Sequence, residues 1–446
     1  MSVLRLVFDQ SLTYLWLAFD ALRDITVRIV ADLHIHSRFS YACSREMEVE
    51  RLAWWAKRKG ISLLGTGDFT HPIYLTHLKQ QLEPVEEGLF RLRAGERAVC
   101  FMLTVEVTNI FRHNGRLRKT HTLIFAPSFA IVERLNAQLA DHGKLAMDGR
   151  PTLTCSARDL LKIVKDTAPE CEVIPAHVWT PWFSVLGSLS GFDSLAECYG
   201  DDVRYIRAVE TGLSSDPAMN WQLSALDTIA LISNSDAHSP RKLAREANVL
   251  ECDLNYPAVL DALLSRDPTR FLYTIEFFPE EGKYHFDGHR QCQVRFTPDE
   301  TQHVKSLCPV CGKKLTVGVL HRVTALADRA PGYIPANPIP AKYLLPLEEI
   351  IAAALGQKPG TKRVTATYDA LLAQCGTELG ILLDRDEEEL ARATPPRILT
   401  GILKARRGEV QITPGYDGEY GTLALFDDEV GSRHSPPAVR GSRRVR

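Results

Sequence analysis

The chain has 446 residues, 45% of them hydrophobic and 24% charged, with a formal net charge of −2. This composition excludes a disordered or fibrous chain and leaves no bulk charge to hold nucleic acid, so an anionic partner would have to meet a local basic patch. Ten scattered cysteines, of which only Cys308 and Cys311 form a tight pair, are too sparse for a disulfide framework and predict a reducing, cytoplasmic setting.

Residues 1–27 open on MSVLRLVFDQSLTYLWLAFDALR, an apolar run interrupted by Asp9 and Asp20 with no small-residue cleavage site. It reads as an N-terminal extension rather than a membrane span or signal peptide, and no membrane partner is expected. From 28 to 275, short apolar runs alternate with amphipathic stretches. Strands are predicted at 28–33, 61–66, 99–107, 120–126, 171–176, 206–211 and 228–234. Helices are predicted at Glu48–Lys59, closed by Gly60, and at Ala157–Lys165. Alternating βα units predict a parallel sheet or barrel, and seven strands suggest a TIM-type barrel with one unit missing. Residues 276–330, rich in turns, His and Cys, read as a small metal-stapled domain. Residues 331–427 begin with five prolines over 331–346, continue as helices over 347–405 and end in a hairpin over 409–427. Residues 428–446 form an Arg-, Ser-, Gly- and Pro-rich tail expected to be disordered.

Nearly every predicted strand ends in a metal-ligand type of residue: His34 and His36, Asp68 with His71, Glu106, His121, His177, and Asp236 with His238. In barrels of parallel strands the loops at the C-terminal strand ends carry the chemistry. Imidazole with carboxylate suits Zn, Mn or Fe, and a shared carboxylate such as Glu106 can bridge two ions for phosphoryl transfer. Any one of these residues alone is more simply a satisfied core or surface side chain. Their recurrence at one end of successive strands is what argues for a metal centre. Glu210, at the end of AVETG, reads either as a carboxylate behind the ligands or as a substrate contact.

This order of ligands resembles the PHP (polymerase and histidinol phosphatase) superfamily. The resemblance implies a distorted (β/α)7 barrel with two or three divalent metals (Zn, Mn or Mg). It implies one ion on His34, His36, Glu106 and Asp236 and a second on Glu106, His121 and His177. A third would lie on His71 and His238, with Asp68. Glu106, Asp236 and His238 are the residues expected to carry the chemistry.

Cys308-Pro-Val-Cys311-Gly has the look of a zinc knuckle, and His289-Arg-Gln-Cys292 offers the second pair a closed structural site requires. His289, Cys292, Cys308 and Cys311 are therefore the expected ligands of one structural Zn, with His285, His303 and His321 competing for the histidine place.

From about residue 28 to 427 the chain resembles the endonuclease Q family within that superfamily. The resemblance rests on DLHIHSRFSYACSREM, GTGDFTHP, PAHVWTPWFSVLGS, ETGLSSDPAMNW, SNSDAHSP, EGKYHFDGHRQC, CPVCGKKLTVGVLHRV and PGYDGEYG. It implies a PHP barrel with a zinc-ribbon domain and a helical C-terminal domain. It also implies nicking of DNA 5′ to uracil, hypoxanthine, xanthine or an abasic site, leaving a 3′-hydroxyl and a 5′-phosphate. Damaged DNA is then the expected partner of a monomer, with a sliding clamp as a candidate contact. Substrate-binding residues are sought beside the ligands. Trp179, Trp182 and Phe183 follow His177 and could stack an unstacked base or simply pack a loop. Arg241 and Lys242 follow His238, and a basic turn spans Gly356–Arg363; both suit phosphate, as does the tail with Arg433, Arg440, Arg443, Arg444 and Arg446. Two other readings compete: a PHP phosphatase acting on a small phosphomonoester such as histidinol phosphate, and an idle DNA-binding scaffold. The complete ligand set argues against the second.

Overall fold

The computed structural model describes residues 27–427. The N-terminal extension, up to Val27, and the basic tail with its five arginines lie outside the described residues. All seven expected strands form. The first ten strands in chain order are β1 (Val27–Asp32), β2 (Leu63–Gly65), β3 (Leu82–Glu86), β4 (Leu89–Leu92), β5 (Cys100–His113), β6 (Arg116–Ala126), β7 (Thr152–Leu153), β8 (Glu172–Pro175), β9 (Ala208–Glu210) and β10 (Ala230–Ile232).

β1, β2 and β5 pair in parallel, Ala31 opposite Leu63 and Leu64 opposite Phe101. The expected all-parallel sheet is nevertheless mixed, because β6 returns antiparallel along β5 and β8 lies antiparallel to β6. The cause is local. Only Asn114 and Gly115 separate β5 from β6, and both have positive φ (49° and 77°). A two-residue Asn-Gly turn of that kind matches the twist of an antiparallel hairpin. β9 and β10 pair in parallel as a separate ribbon. Hydrogen bonds at the strand ends join this ribbon to the rest: Val178 N–H donates to Glu210 O (3.0 Å) and His36 N–H to Ala237 O (3.1 Å). β3, β4 and β7 were not expected, and neither were three strands that extend the sheet beyond β1. β11 (Ala247–Cys252) lies antiparallel to β1, β12 (Phe271–Glu276) antiparallel to β11, and β15 (Ala341–Tyr343) parallel to β12.

Helices sit where expected. Val49–Lys59 ends at Gly60, whose φ of 93° lets its N–H reach back to Ala56 O and Lys57 O. Ala157–Thr167 starts at Ser156, whose hydroxyl accepts from Asp159 N. Residues on one face of the strands form one core, with Ile29, Ala31, Leu63, Met102, Leu123 and Ile232 among them. The strands' opposite faces pack on the helices in a second core. Side chains on a strand alternate, so residues two apart share a face. On β5, Cys100 and Met102 line the inner core and Glu106 follows on the same face; on β6, Phe125 and Leu123 share it with His121. Ala230 and Ile232 on β10 precede Asp236 in the same parity. Apolar side chains thus fill one end of the interior and ligand-type side chains the other.

After β12 the chain makes a short antiparallel pair, β13 (Asp287–His289) and β14 (Val294–Phe296). Helices follow at Leu347–Leu355, Lys362–Cys375, Glu387–Ala393 and Pro396–Arg406, and then an antiparallel pair, β16 (Gln411–Thr413) and β17 (Thr422–Ala424). The helical region is tied to helix Val49–Lys59 by a buried ion pair between Lys59 and Glu378 at 2.7 Å. Among the described residues no helix is long and apolar enough to cross a membrane.

Candidate metal centre

Glu106 is the hub. Its Oε2 lies 3.6 Å from His34 Nε2 and 3.3 Å from His36 Nε2, and Asp236 Oδ1 stands 3.6 and 3.0 Å from the same two nitrogens. Its Oε1 lies 2.7 Å from His121 Nδ1 and 2.9 Å from His177 Nε2. The structure therefore brings together two clusters of ligand atoms, one on each oxygen of a single buried carboxylate.

The reach of these residues depends on turns in the backbone. His177, Asp236 and Asp68 have φ of 28°, 46° and 48°. Such values are uncommon outside glycine, and Asp and His tolerate them better than most residues. They swing each side chain inward directly after its strand.

Buried carboxylates orient the imidazoles from behind. His34 Nδ1 donates to both oxygens of Glu210 at 3.0 Å, and His36 Nδ1 to Asp68 Oδ1 at 3.1 Å. Asp68 Oδ2 also accepts from Ser37 N (2.6 Å), Ser37 Oγ (2.6 Å) and Ser40 Oγ (2.8 Å). Carboxylate–histidine pairs of this sort fix the ring tautomer and leave Nε2 free as a ligand. Burial opposes charge on His34, yet Glu210, Glu106 and Asp236 outweigh it and hold its pKa well above the ordinary imidazole value. Burial dominates at His121 instead and lowers it to about 4. The carboxylates thus collect positive charge, from protons or from a metal.

The fit to a divalent cation rests on atoms without partners. His34 Nε2, His36 Nε2 and Asp236 Oδ1 are buried and make no hydrogen bond of acceptable geometry, although they face one another across the first cluster. Buried polar atoms are normally satisfied, and an ion ligated by all three would satisfy them together.

The third ligand set does not converge among the described residues. Asp68 is committed to His36, Ser37 and Ser40. His71 Nδ1 faces Tyr74 N at 3.5 Å with its ring stacked on Phe39, and His238 lies 3.5 Å from Asp236 Oδ1.

Two substrate-contact expectations are corrected. Glu210 is completely buried and serves His34, His177 N and Asn234 Nδ2, so it does not meet a ligand. Trp179 is 1% exposed with its indole N–H on Asn220 Oδ1 at 2.8 Å, so it packs the core. Trp182, by contrast, is 42% exposed and meets Tyr284 edge-on, and the Phe183 ring lies 4.9 Å from that of His121. Both line a cavity of about 840 Å³ together with Lys242, Arg245, Tyr284 and Tyr420. Arg241 and Lys242 are paired to Glu348 (2.8 Å) and Glu349 (3.1 Å) at the start of helix Leu347–Leu355. Gly360 N–H in the basic turn is likewise taken, by Glu348. Arg150, which sequence reasoning missed, donates to Glu106 Oε2 at 2.9 Å.

His289, Cys292, Cys308 and Cys311 converge as the four-residue cluster expected of the knuckle. His289 Nδ1 is 3.4 Å from Cys311 Sγ. The competing histidines are engaged elsewhere, His303 with Asp299 O and His321 with Asp287, while His285 is buried away from the sulfurs in the cavity wall. Burial opposes ionisation of the Cys308 thiol, but the N–H groups of Cys311 and Val310 and the side chain of His289 bring it down to about 6. A thiolate there suits Zn.

Comparison with known proteins finds similarity to solved structures over nearly the whole chain. The lesion-specific endonuclease PfuEndoQ from Pyrococcus furiosus is 30% identical with a TM-score of 0.80, over 92% of this chain and 98% of that one. Endonuclease Q in complex with a 27-mer duplex substrate bearing an abasic lesion at the active site is 30% identical with a TM-score of 0.79, over 91% and 98%. A family model described as the MJ0043 C-terminal domain matches residues 346–409. The uncharacterized protein MJ0043 of Methanocaldococcus jannaschii is 32% identical over 262 residues, 57% of this chain; the chain spans only 32% of that protein's length.

Proposed function

This chain belongs to the endonuclease Q family, and from that premise we propose that it is a DNA-repair endonuclease. It hydrolyses the phosphodiester 5′ of a deaminated base (uracil, hypoxanthine or xanthine) or of an abasic site, leaving a 3′-hydroxyl and a 5′-phosphate. In this reading residues 28–275 are a PHP barrel of the distorted (β/α)7 kind, 276–330 a zinc-ribbon domain and 331–427 a helical C-terminal domain.

The observation that carries the reading is Glu106, one carboxylate whose two oxygens each face a separate cluster of histidines. His34, His36, Glu106 and Asp236 would hold one divalent ion (Zn, Mn or Mg), and Glu106, His121 and His177 a second. Ions so held would supply an activated water and neutralise charge on the leaving oxygen of a phosphodiester. The protein's part is positional. Glu210 and Asp68 hold the imidazoles in register. His238, with a third of its side chain exposed beside Asp236, is placed to carry a proton. Trp182 and Phe183 offer flat faces to an unstacked base at the cavity mouth, and Lys242 and Arg245 bring positive charge to the same wall. His289, Cys292, Cys308 and Cys311 would hold a structural Zn that fastens the insert.

The test is purified protein with Mg²⁺ or Mn²⁺ on end-labelled duplex DNA carrying one uracil, beside undamaged duplex and a generic phosphomonoester. A single nick immediately 5′ of uracil is expected, with binding that weakens steeply as salt rises. The D236N variant should lose nicking with its unfolding temperature kept. Phosphate released from the monoester, with no DNA cut, would overturn the proposal.

A further inference from the structure

Arg150 reaches the centre from a loop with no regular structure, and that loop is fastened on both sides. Gly149 N–H donates to Phe39 O at 2.9 Å, and Thr70 Oγ1 donates to Gly149 O at 3.3 Å. Arg150 N–H donates to Asp148 Oδ1 (2.9 Å), and Thr108 N–H to Pro151 O (2.9 Å). Position 149 must be glycine, because a Cβ there would collide with the Asp68 carboxylate and the Ser40 hydroxyl. The backbone before Arg150 is therefore locked beside Asp68 and Ser40, and the backbone after it is held on β5.

The guanidinium so delivered meets Glu106 Oε2, the same oxygen that faces His34 and His36. Among the described residues Arg150 is the one Lys or Arg ion-paired to a carboxylate of either cluster. Its pair uses Nη1, and 22% of the side chain faces open space. An ion on Glu106 Oε2 would compete with Arg150 for that oxygen and repel its charge. A guanidinium displaced over so short a reach stays beside the clusters, where an anionic substrate has to arrive. Its planar fork of donors matches phosphate oxygens, which an ammonium does not.

We propose that Arg150 is a catalytic residue: on loading of the centre its guanidinium turns from Glu106 to a non-bridging oxygen of the scissile phosphodiester and stabilises the charge that builds there. This rests on the endonuclease reading above.

The experiment compares wild type, R150Q and R150K. Mn²⁺ binding to the DNA-free proteins is followed by calorimetry, and single-turnover nicking is followed on duplex DNA with one uracil. For R150Q the expected result is unchanged Mn²⁺ stoichiometry with equal or tighter affinity, since Glu106 is freed. Its nicking should be slower on the order of 10²–10³-fold, the usual loss for one charge-stabilising donor, and not restored by excess Mn²⁺. R150K should recover only part of the rate. Wild-type rates in R150Q, or loss of bound Mn²⁺ that accounts for the slower nicking, would overturn the proposal. Failure of the wild type itself to nick would instead sink the endonuclease reading, and this proposal with it.

Discussion

His34 gives its Nδ1 hydrogen to Glu210, 3.0 Å from both carboxylate oxygens, so its Nε2 lone pair is turned into the cluster that Glu106 and Asp236 complete. Glu210 also accepts from His177 N at 2.9 Å and from Asn234 Nδ2 at 3.0 Å. One buried carboxylate thereby sets the posture of a ligand in each cluster. Substituting Glu210→Gln keeps the shape but removes the charge that fixes the His34 tautomer. Mn²⁺ affinity, measured by titrating metal-free protein, should fall about 10–100-fold, the usual effect of losing such a partner. Equal affinity in the variant would show that Glu210 has no such part.

Trp179 and Trp182 stand three positions apart and should respond in opposite ways. Trp179→Phe removes the N–H that pairs with buried Asn220. The variant should lose about 1–3 kcal/mol of stability in chemical denaturation, the range for a buried polar atom left unpaired, with DNA affinity kept. Trp182→Ala alters an exposed ring at the cavity mouth. Its unfolding should be unchanged and its affinity for uracil-containing duplex reduced more than that for undamaged duplex. The opposite pattern would reverse the two assignments.

The difference between these tryptophans also shows where sequence reading stops. His34, His36, Glu106, His121, His177 and Asp236 were legible because strand parity and strand ends are sequence properties, and the same periodicity located the seven strands. For Trp179 adjacency to His177 leaves stacking and packing both open, and only the buried bond of its indole to Asn220 decides for packing. Asp68 has the right type and place for a ligand, but two serines and His36 occupy its carboxylate, and such competition emerges only when the segments after β1 and β2 meet. Arg150 carried no signal at all, since its position is set by irregular backbone bonds. The antiparallel course of β6 has its signal in Asn114-Gly115, masked in sequence by flanking runs that look like two separate buried strands.

Cys308 is 1% exposed and sits in the small apolar cluster with Val294 and Leu315. Substituting Cys308→Ser should remove one equivalent of bound zinc, read by elemental analysis, and lower the unfolding temperature, because ligand binding there is folding free energy for a segment with little core of its own. Zinc content equal to wild type would remove Cys308 from the ligand set.

Glu281 lies in the cavity wall with Oε1 buried and unpartnered. Burial raises its pKa to about 8; Glu349 and Glu280 push the same way, and Lys242 and Arg245 oppose them. In the unfolded chain a glutamate titrates near 4.3. Between that value and about 8 the folded protein holds a proton that the unfolded chain has released, so stability falls as pH rises across the window. The contribution is full below the unfolded pKa and lost above the folded one, with a slope of up to about 1.4 kcal/mol per pH unit. Denaturation curves at pH 6, 7, 8 and 9 should therefore show declining stability in the wild type and a flatter profile in E281Q, which stays neutral throughout. The same ionisation puts negative charge on the wall proposed to meet DNA, so affinity for uracil-containing duplex should weaken above pH 8 in the wild type and less so in E281Q. Parallel profiles for the two proteins in both measurements would mean that Glu281 is already ionised at neutral pH.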